Sequence, residues 1–246
     1  MKRKTHIIMP MAGEGNRFKD AGYTMPKPLI EYNGKPLFVN AMDSVKNIKY
    51  DSITFVVREE HLKEHQIDQV IHQYYPDAII MVIQETTRGA ADTVFLAVRN
   101  LILSNVAEYT DSIIIMDCDV VVQSEQWEKA INKPTMDGIL LSFNSNDDRY
   151  SYAAVVNNKV LRTAEKEPIS EHAITSPYFI KKIEHFVDSF HDMERFHKPD
   201  GSMTYKEMYV SLLYNFLIAN KHNIKLIPVD SIISLGTPEE LERNKI

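Results

Sequence analysis

His6-Ile7-Ile8-Met9-Pro10-Met11-Ala12-Gly13-Glu14-Gly15-Asn16-Arg17-Phe18 passes from an apolar run into a glycine-rich, charged loop. The run reads as a buried strand, and Pro26-Lys27-Pro28-Leu29 follows the loop closely. Glycines let a backbone turn tightly and bring bare N–H groups near phosphate oxygens. Arg17 offers a planar fork of donors. Lys27 adds a point charge, held near the loop by its flanking prolines. A strand feeding such a loop is what a triphosphate site requires. Phe18 stands where a dinucleotide fingerprint has its third glycine, and the Gly-Lys-Ser/Thr end of a nucleotide-hydrolysing loop is missing.

Outward from this stretch, strand-like and helix-like segments alternate. Ile53–Val57, Ala78–Ile83 and Ser112–Met116 are short runs rich in branched residues, as strands covered on both faces are. Leu37 to Val45, Glu60 to Tyr74 and Ala90 to Leu103 carry helical patterns between them. The alternation predicts a mainly parallel α/β sheet with ligands at the carboxyl ends of its strands. The glycine loop and Asp117-Cys118-Asp119 both follow strands, so both belong on that rim. Further on, Gly138–Phe143 reads as a core strand. Ala153–Val156 and Lys159–Leu161 read as a hairpin turning on Asn157-Asn158. Residues 144–151 and 190–204 read as surface loops, Tyr205 to Asn220 as a helix, and Ile224–Val229 as a late strand.

The 246 residues, 44% hydrophobic and 25% charged, suit one sizeable core. The reading is a single domain over 1–246, with a nucleotide-binding half (1–143) and an acceptor-binding half (144–246). A net charge of -6 argues against a broad nucleic-acid surface. The single cysteine, Cys118, excludes an intrachain disulfide and fits a cytoplasmic setting. No apolar stretch predicts membrane insertion, and the basic start is followed by too short an apolar run for a signal peptide.

Pro10 to Phe18 together with Pro26 to Leu29 resembles the signature of the sugar nucleotidyltransferases, the nucleotide-sugar pyrophosphorylases. The resemblance implies a Rossmann-like, three-layer α/β/α fold with a mixed, mostly parallel sheet, shared with GT-A-type enzymes. It implies transfer of a nucleotide from a nucleoside triphosphate to a phosphorylated sugar or small alcohol, with release of pyrophosphate and dependence on Mg²⁺. A sugar 1-phosphate is the first expectation, in the supply of surface-polysaccharide precursors. A cytidylyltransferase acting on CTP and a phosphocholine-like acceptor is the alternative. A GT-A glycosyltransferase and a non-catalytic nucleotide-binding module also share parts of the pattern, and a homo-oligomer is compatible with it.

By the same resemblance, Ala12, Gly13 and Gly15 hold the nucleotide. Arg17 grips the β- and γ-phosphates, and Lys27 sits over the α-phosphate. In Gln84-Glu85-Thr86-Thr87-Arg88-Gly89-Ala90, Gln84 has the donor and acceptor to read a base edge, and Gly89 lets a base lie against backbone. Asp117 and Asp119 form a hard-oxygen pair suited to Mg²⁺, either both facing one ion or one binding metal and the other a ribose, and the resemblance favours Asp119 as the metal ligand. Glu165 and Lys166 match acceptor-contacting positions. Ser234 departs from the pattern, standing where many members carry a second metal-binding aspartate, with Asp230 nearby. Thr237-Pro238-Glu239-Glu240 reads as a helix start, with Thr237 as N-cap and Glu240 completing a capping box. No Ser-His-Asp arrangement is apparent, and none is needed: such a displacement asks for alignment and positive charge. His61 and His65 are helix-spaced without an obvious third ligand, and His191, Asp192 and His197 read as solvent-facing. Tyr205, Tyr209, Tyr214 and Phe216 read as helix packing.

Overall fold

Alternation along the inner strands sorts the core into two faces. In the computed structural model, which describes residues 3–196 and 207–245, Ile8, Val56, Ile113 and Ile115 pack on one face, and Ile7, Met9, Phe55, Val57 and Ile114 on the other. Strands buried on both sides carry unbroken apolar runs for this reason.

The described residues form β1 (Thr5–Pro10), α1 (Asn16–Asp20), β2 (Glu31–Tyr32), β3 (Lys35–Pro36), α2 (Leu37–Met42), β4 (Ser52–Arg58), α3 (Glu59–His65), α4 (Ile67–Tyr74) and β5 (Ile79–Ile83). They continue with α5 (Ala90–Leu103), β6 (Ser112–Ile115), β7 (Val120–Gln123), α6 (Glu125–Asn132), β8 (Gly138–Asn144), β9 (Ser151–Val156), β10 (Lys159–Glu165) and β11 (His172–Ile180). Last come α7 (Ile183–Phe196), α8 (Val210–Ala219), β12 (Ile224–Pro228), β13 (Ser231–Ser234) and α9 (Pro238–Asn244).

The main sheet runs β5-β4-β1-β6-β11-β8-β12-β10-β9. β1 lies parallel between β4 and β6, β5 extends β4 in parallel, and β12 runs parallel to β8. Only β10 and β11 run against the rest. Helices α5, α7 and α8 cover one face and α2, α4 and α6 the other, giving three layers around a mixed, mostly parallel sheet. Val94, Ala97, Val98 and Leu101 form the buried stripe of α5. Burying each valine or leucine there contributes roughly 1.5–3 kcal/mol. A third cluster, Phe18, Ile30, Tyr32, Leu37, Leu235 and Leu241, clamps α1 and α9 together beside the glycine loop.

The Asn-Asn hairpin forms as expected: Asn157 and Asn158 have φ of 50° and 61°, the left-handed pair such a turn demands. Three expectations change. The helix over Glu60 to Tyr74 is broken at Gln66, whose φ of 49° separates α3 from α4. Residues 190–196 are helical rather than loop: Phe190 and Met193 are buried, and their spacing continues the apolar face of α7. The remainder of that segment and Tyr205 lie outside the described residues, and the last long helix is described over Val210–Ala219. Tyr214 does pack inside, its hydroxyl donating to Phe179 O at 2.9 Å.

A hydrogen-bonded Ser-His-Asp set does exist, at the rim opposite the glycine loop. His6 Nδ1 lies 2.8 Å from Ser52 Oγ and His6 Nε2 3.2 Å from Asp111 Oδ2. Asp111 also accepts the N–H groups of Lys4 and Glu108, and His6 is fully buried. Buried as it is, the set pins the start of β1 to its neighbours.

His61 is buried on α3, and its Nδ1 has no hydrogen-bond partner among the described residues. Burial, assisted by the nearby charge of Arg58, lowers its pKa from 6.5 to about 4. The unfolded chain therefore binds the proton first, and stability is lost as pH falls from about 6.5 toward 4. Between pH 7.5 and 4.5 this amounts to on the order of 2 kcal/mol. His61→Leu should flatten that part of the acid profile in urea melts. An unchanged slope would show that His61 is not the responsible group.

Candidate active site

β1 ends at Pro10, and the chain turns off the carboxyl rim of the sheet. Met11 N–H donates to Val56 O at 2.8 Å, which hooks the loop onto β4. Gly15 has φ of 67°, a left-handed conformation that glycine adopts freely, and its carbonyl accepts the N–H groups of Phe18 and Lys19 to start α1. Phe18 is buried against Tyr23, ring centroids 5.2 Å apart, so the residue in the third-glycine position anchors the loop. A Cβ on Gly15 would stand 3.4 Å from Lys27 Cβ, so loop and Pro-Lys-Pro turn are already in contact. Arg17 is exposed and makes no hydrogen bond or ion pair among the described residues.

Lys27 Nζ lies 2.5 Å from Asp119 Oδ2. Burial opposes the ammonium charge, but Asp119 outweighs it and holds the Lys27 pKa above the ordinary lysine value. Asp117, beside them, is pushed well above the carboxylate range, first by burial and then by the charge of Asp119.

Two clefts meet at this pair, and another adjoins one of them at the glycine loop. One of about 510 Å³ is bounded by the loop residues Ala12, Gly13 and Gly15 and, opposite, by Thr87, Gly89 and Glu207. A narrow one of about 160 Å³ shares Gly13 and Gly15 with it and continues to Lys27, Asp117 and Asp119. A third, about 290 Å³, takes over those charged groups with Arg17 and extends to Arg149, Tyr150 and Glu240. A larger cleft, about 620 Å³, opens between residues 21–31 and α9 but contains none of the charged groups named above.

Gly89 is required by backbone crossing. A Cβ there would lie 2.7 Å from both N and O of Met208, and its φ is 139°. Met208 N–H donates to Arg88 O, and Ala91 N–H to Met208 O, so Glu207–Tyr209 straps over the start of α5. Gly89→Ala should cost roughly 2–3 kcal/mol in stability and loosen this wall of the cleft. Thermal melts test the first effect; an unchanged midpoint would contradict it. Gln84 is exposed and does not line the cleft; Thr86 and Thr87 hold that side.

The far cleft differs from the sequence reading. Lys166 has φ of 56°, and its ammonium sits 3.2 Å from Tyr209 Oη and 5.3 Å from that ring's centre, outside the cleft lining. Glu165 accepts the hydroxyls of Ser151 and Ser211 and so works from behind the wall. Asp230 accepts Glu125 N–H at the start of α6. Ser234 stands beside Asp119: it pairs with Val120 in the β13–β7 ribbon, and Leu235 N–H donates to Asp119 O at 2.8 Å.

Glu240 and Arg149 join the site without any announcement in the sequence. Thr237 caps α9 by accepting Glu240 N–H, as expected, but the capping box does not close. Glu240 Oε2 instead accepts Ser234 Oγ–H and Gly236 N–H, both at 3.0 Å. Its other oxygen accepts Tyr150 Oη–H at 3.2 Å and lies 3.4 Å from Arg149 Nη1. Arg149 is also gripped by Asp147 at 2.8 Å. Spacing along the chain hides this group, because α9 enters the cleft from more than a hundred residues beyond Asp119.

A hard cation fits here. The bare face of Gly236 leaves a gap in which a Cβ would stand 2.8 Å from Asp119 Oδ2 and 3.4 Å from Glu240 Oε2. The donors are oxygens, the set Mg²⁺ prefers. The ammonium of Lys27 already demonstrates that Asp119 accepts positive charge at this point.

Solved structures share this architecture. The nucleoside-diphosphate-sugar pyrophosphorylase of Vibrio cholerae RC9 matches with a TM-score of 0.79 at 29% identity, over 96% of this chain and 98% of its own. A putative glucose-1-phosphate thymidylyltransferase from Bacillus anthracis matches at 0.75 with 14% identity, over 97% and 93%. The inositol-1-phosphate CTP transferase of T. maritima matches at 0.70 with 14% identity, over 98% and 92%. The last two support the fold alone. Among curated proteins, none matches the sequence. Family members generally use divalent metal ions, and no helix among the described residues is long and apolar enough to cross a membrane. The model of the nucleotidyl transferase family matches residues 6–183, and the chain belongs to that family.

Proposed function

We propose that this nucleotidyltransferase joins a nucleoside triphosphate to a sugar 1-phosphate and releases pyrophosphate. The observation that carries the reading is a chain of three clefts, the first joined to the narrow passage through Gly13 and Gly15 and the passage joined to the third through Lys27 and Asp119. The nucleoside occupies the cleft between the glycine loop and Gly89, the phosphates run through the narrow passage, and the acceptor fills the cleft toward Arg149. Residues 1–143 act as the nucleotide half and 144–246 as the acceptor half of one domain, with Glu207 reaching back to the nucleotide. The likeness to the Vibrio cholerae pyrophosphorylase supports a sugar acceptor, for use in surface-polysaccharide precursors.

An acceptor phosphate oxygen attacks the α-phosphorus in line, the bond to the β-phosphate oxygen breaks, and pyrophosphate leaves. Lys27 places its charge over the α-phosphate oxygens, which gain charge as the new bond forms. Arg17, free of protein ion pairs among the described residues, closes on the β- and γ-phosphates. Ala12, Gly13 and Gly15 present backbone to the triphosphate. Asp119 would hold the metal, with Glu240 across the gap at Gly236. The chemistry supplied by a bound Mg²⁺ is neutralisation of the crowded phosphate oxygens.

A second reading has its own support. Phe143, Tyr150 and Tyr178, with Asp117 and Glu240, line the acceptor cleft. Aromatic faces and carboxylates suit a cationic headgroup, as on a phosphocholine-like acceptor used with CTP. A matrix of triphosphates against sugar 1-phosphates and phosphocholine, read by pyrophosphate release, separates the two. Absence of release from every pair would sink both.

A further inference from the structure

At the rim opposite the clefts, three side chains from separate elements converge. Asp137 stands just before β8 and His222 just before β12, and those strands start side by side, Ile224 opposite Gly138. His185 lies in the first turn of α7. A carboxylate oxygen of Asp137 and one ring nitrogen from each histidine all lie within 4.8 Å of one another. The gap from His222 Nδ1 to Asp137 Oδ2 is 4.0 Å, too long for a hydrogen bond. His185 Nδ1 is buried and has no hydrogen-bond partner among the described residues. A buried imidazole nitrogen with no hydrogen-bond partner, in a cluster with a carboxylate and a second imidazole, makes a donor set suited to a metal ion.

We propose that Asp137, His185 and His222 bind a divalent transition metal, with Zn²⁺ as the ion. Two imidazoles and one carboxylate select zinc over magnesium, because nitrogen ligands suit the softer ion. This separates the site from the all-oxygen set at Asp119. Zinc holds its nitrogen and oxygen donors at about 2.0–2.2 Å in a tetrahedron, which places them roughly 3.4 Å apart. The present separations exceed that by at most about 1.4 Å. The two rings stack with centroids 3.9 Å apart and planes 24° apart. Rotation about their Cβ–Cγ bonds turns both edges toward Asp137, and water completes the fourth position. Three hydrogen bonds hold Asp137 in place: its Oδ2 accepts Asn223 N–H at 3.0 Å, its backbone carbonyl accepts Lys181 N–H at 2.8 Å, and its own N–H donates to Asn223 O at 2.9 Å. The side chains are 13–27% exposed, so the site is shielded yet open to an entering ion.

The bound ion would staple the starts of α7, β8 and β12. Helix α7 also carries Glu194, which pairs with Arg88 at 2.8 Å beside the nucleotide cleft. Metal binding at one rim thus steadies an element that reaches the other.

The test uses the full chain after chelator treatment. Calorimetric titration with ZnCl₂ should show one saturable equivalent, with a raised melting temperature. Co²⁺ should give the strong visible bands of four-coordinate, nitrogen-ligated metal. His222→Gln should weaken binding by about tenfold or more and abolish the cobalt bands, while Asp119→Asn should leave them. His185→Gln should repeat the loss, and because His222 sits at a turn its variant should melt as the metal-free parent does. Titration without saturation, or cobalt bands that survive His222→Gln, would overturn the proposal. Neither readout depends on turnover, so the outcome stands apart from the proposed activity.

Discussion

Lys27→Met is expected to lower kcat/KM for pyrophosphate release about a thousandfold, equivalent to about 4 kcal/mol of transition-state stabilisation. The side chain is held at the junction of the nucleotide and acceptor clefts, fixed by Pro26 and Pro28 and packed on Gly15. Charge gathers on the α-phosphate oxygens only as the acceptor attacks, so a cation fixed there acts mainly on kcat. Methionine keeps the unbranched stem and its packing while removing the ammonium that pairs with Asp119. Lys27→Arg should not restore the rate, because the planar guanidinium is bulkier than the ammonium where Gly15 and Asp119 already touch the side chain. Steady-state assays with coupled pyrophosphate detection measure both variants. A Lys27→Met enzyme within tenfold of the parent would place the critical charge elsewhere, with Arg17 the first residue to examine.

The parts readable in the sequence are those governed by short-range rules. The apolar runs of β1, β4 and β6 announce strands buried on both faces, the stripe of α5 announces its helix, and Asn157-Asn158 announces its turn. The loop from Gly13 to Arg17 is local too, which is why its position beside Lys27 follows from a stretch of neighbouring residues. The acceptor side is different. Lys166 lies in a motif-like stretch, yet a left-handed backbone turns it onto Tyr209, a residue on a distant strap. Gln84 follows β5 as anticipated, but the chain turns it outward and gives the cleft to Thr86 and Thr87. The short β7 and β13 strands carry no periodicity of their own. Their pairing with each other, fixed by Leu235 N–H on Asp119 O, brings Gly236 against the Asp119 carboxylate. Glu240 is legible as a helix-start residue; that its carboxylate turns into the cleft depends on the clamp of Leu241 against Phe18.

That clamp makes Glu240→Ala the most damaging substitution expected on the acceptor side. The residue is 4% exposed, and its carboxylate serves Ser234, Gly236, Tyr150 and Arg149 together. Alanine leaves two half-buried hydroxyls and a backbone N–H without their acceptor and removes one anion from Arg149. The cost in stability is roughly 3–5 kcal/mol, since each orphaned partner keeps its desolvation penalty. Function should divide. Tyr150 and Arg149 lose the group that orients them, and misplacement on this scale raises KM for the acceptor roughly 10- to 100-fold. The triphosphate cleft, built from the glycine loop and the Gly89 strap, has no contact with Glu240, so KM for the nucleotide should stay within about threefold. Glu240→Gln keeps the shape and one acceptor oxygen and should fall between parent and alanine in both melting temperature and acceptor KM. If acceptor KM holds while stability drops, Glu240 is a strut for α9 and the wall of the acceptor cleft lies elsewhere. If both KM values rise together, the clefts are not separable, and the division into nucleotide and acceptor halves fails with them.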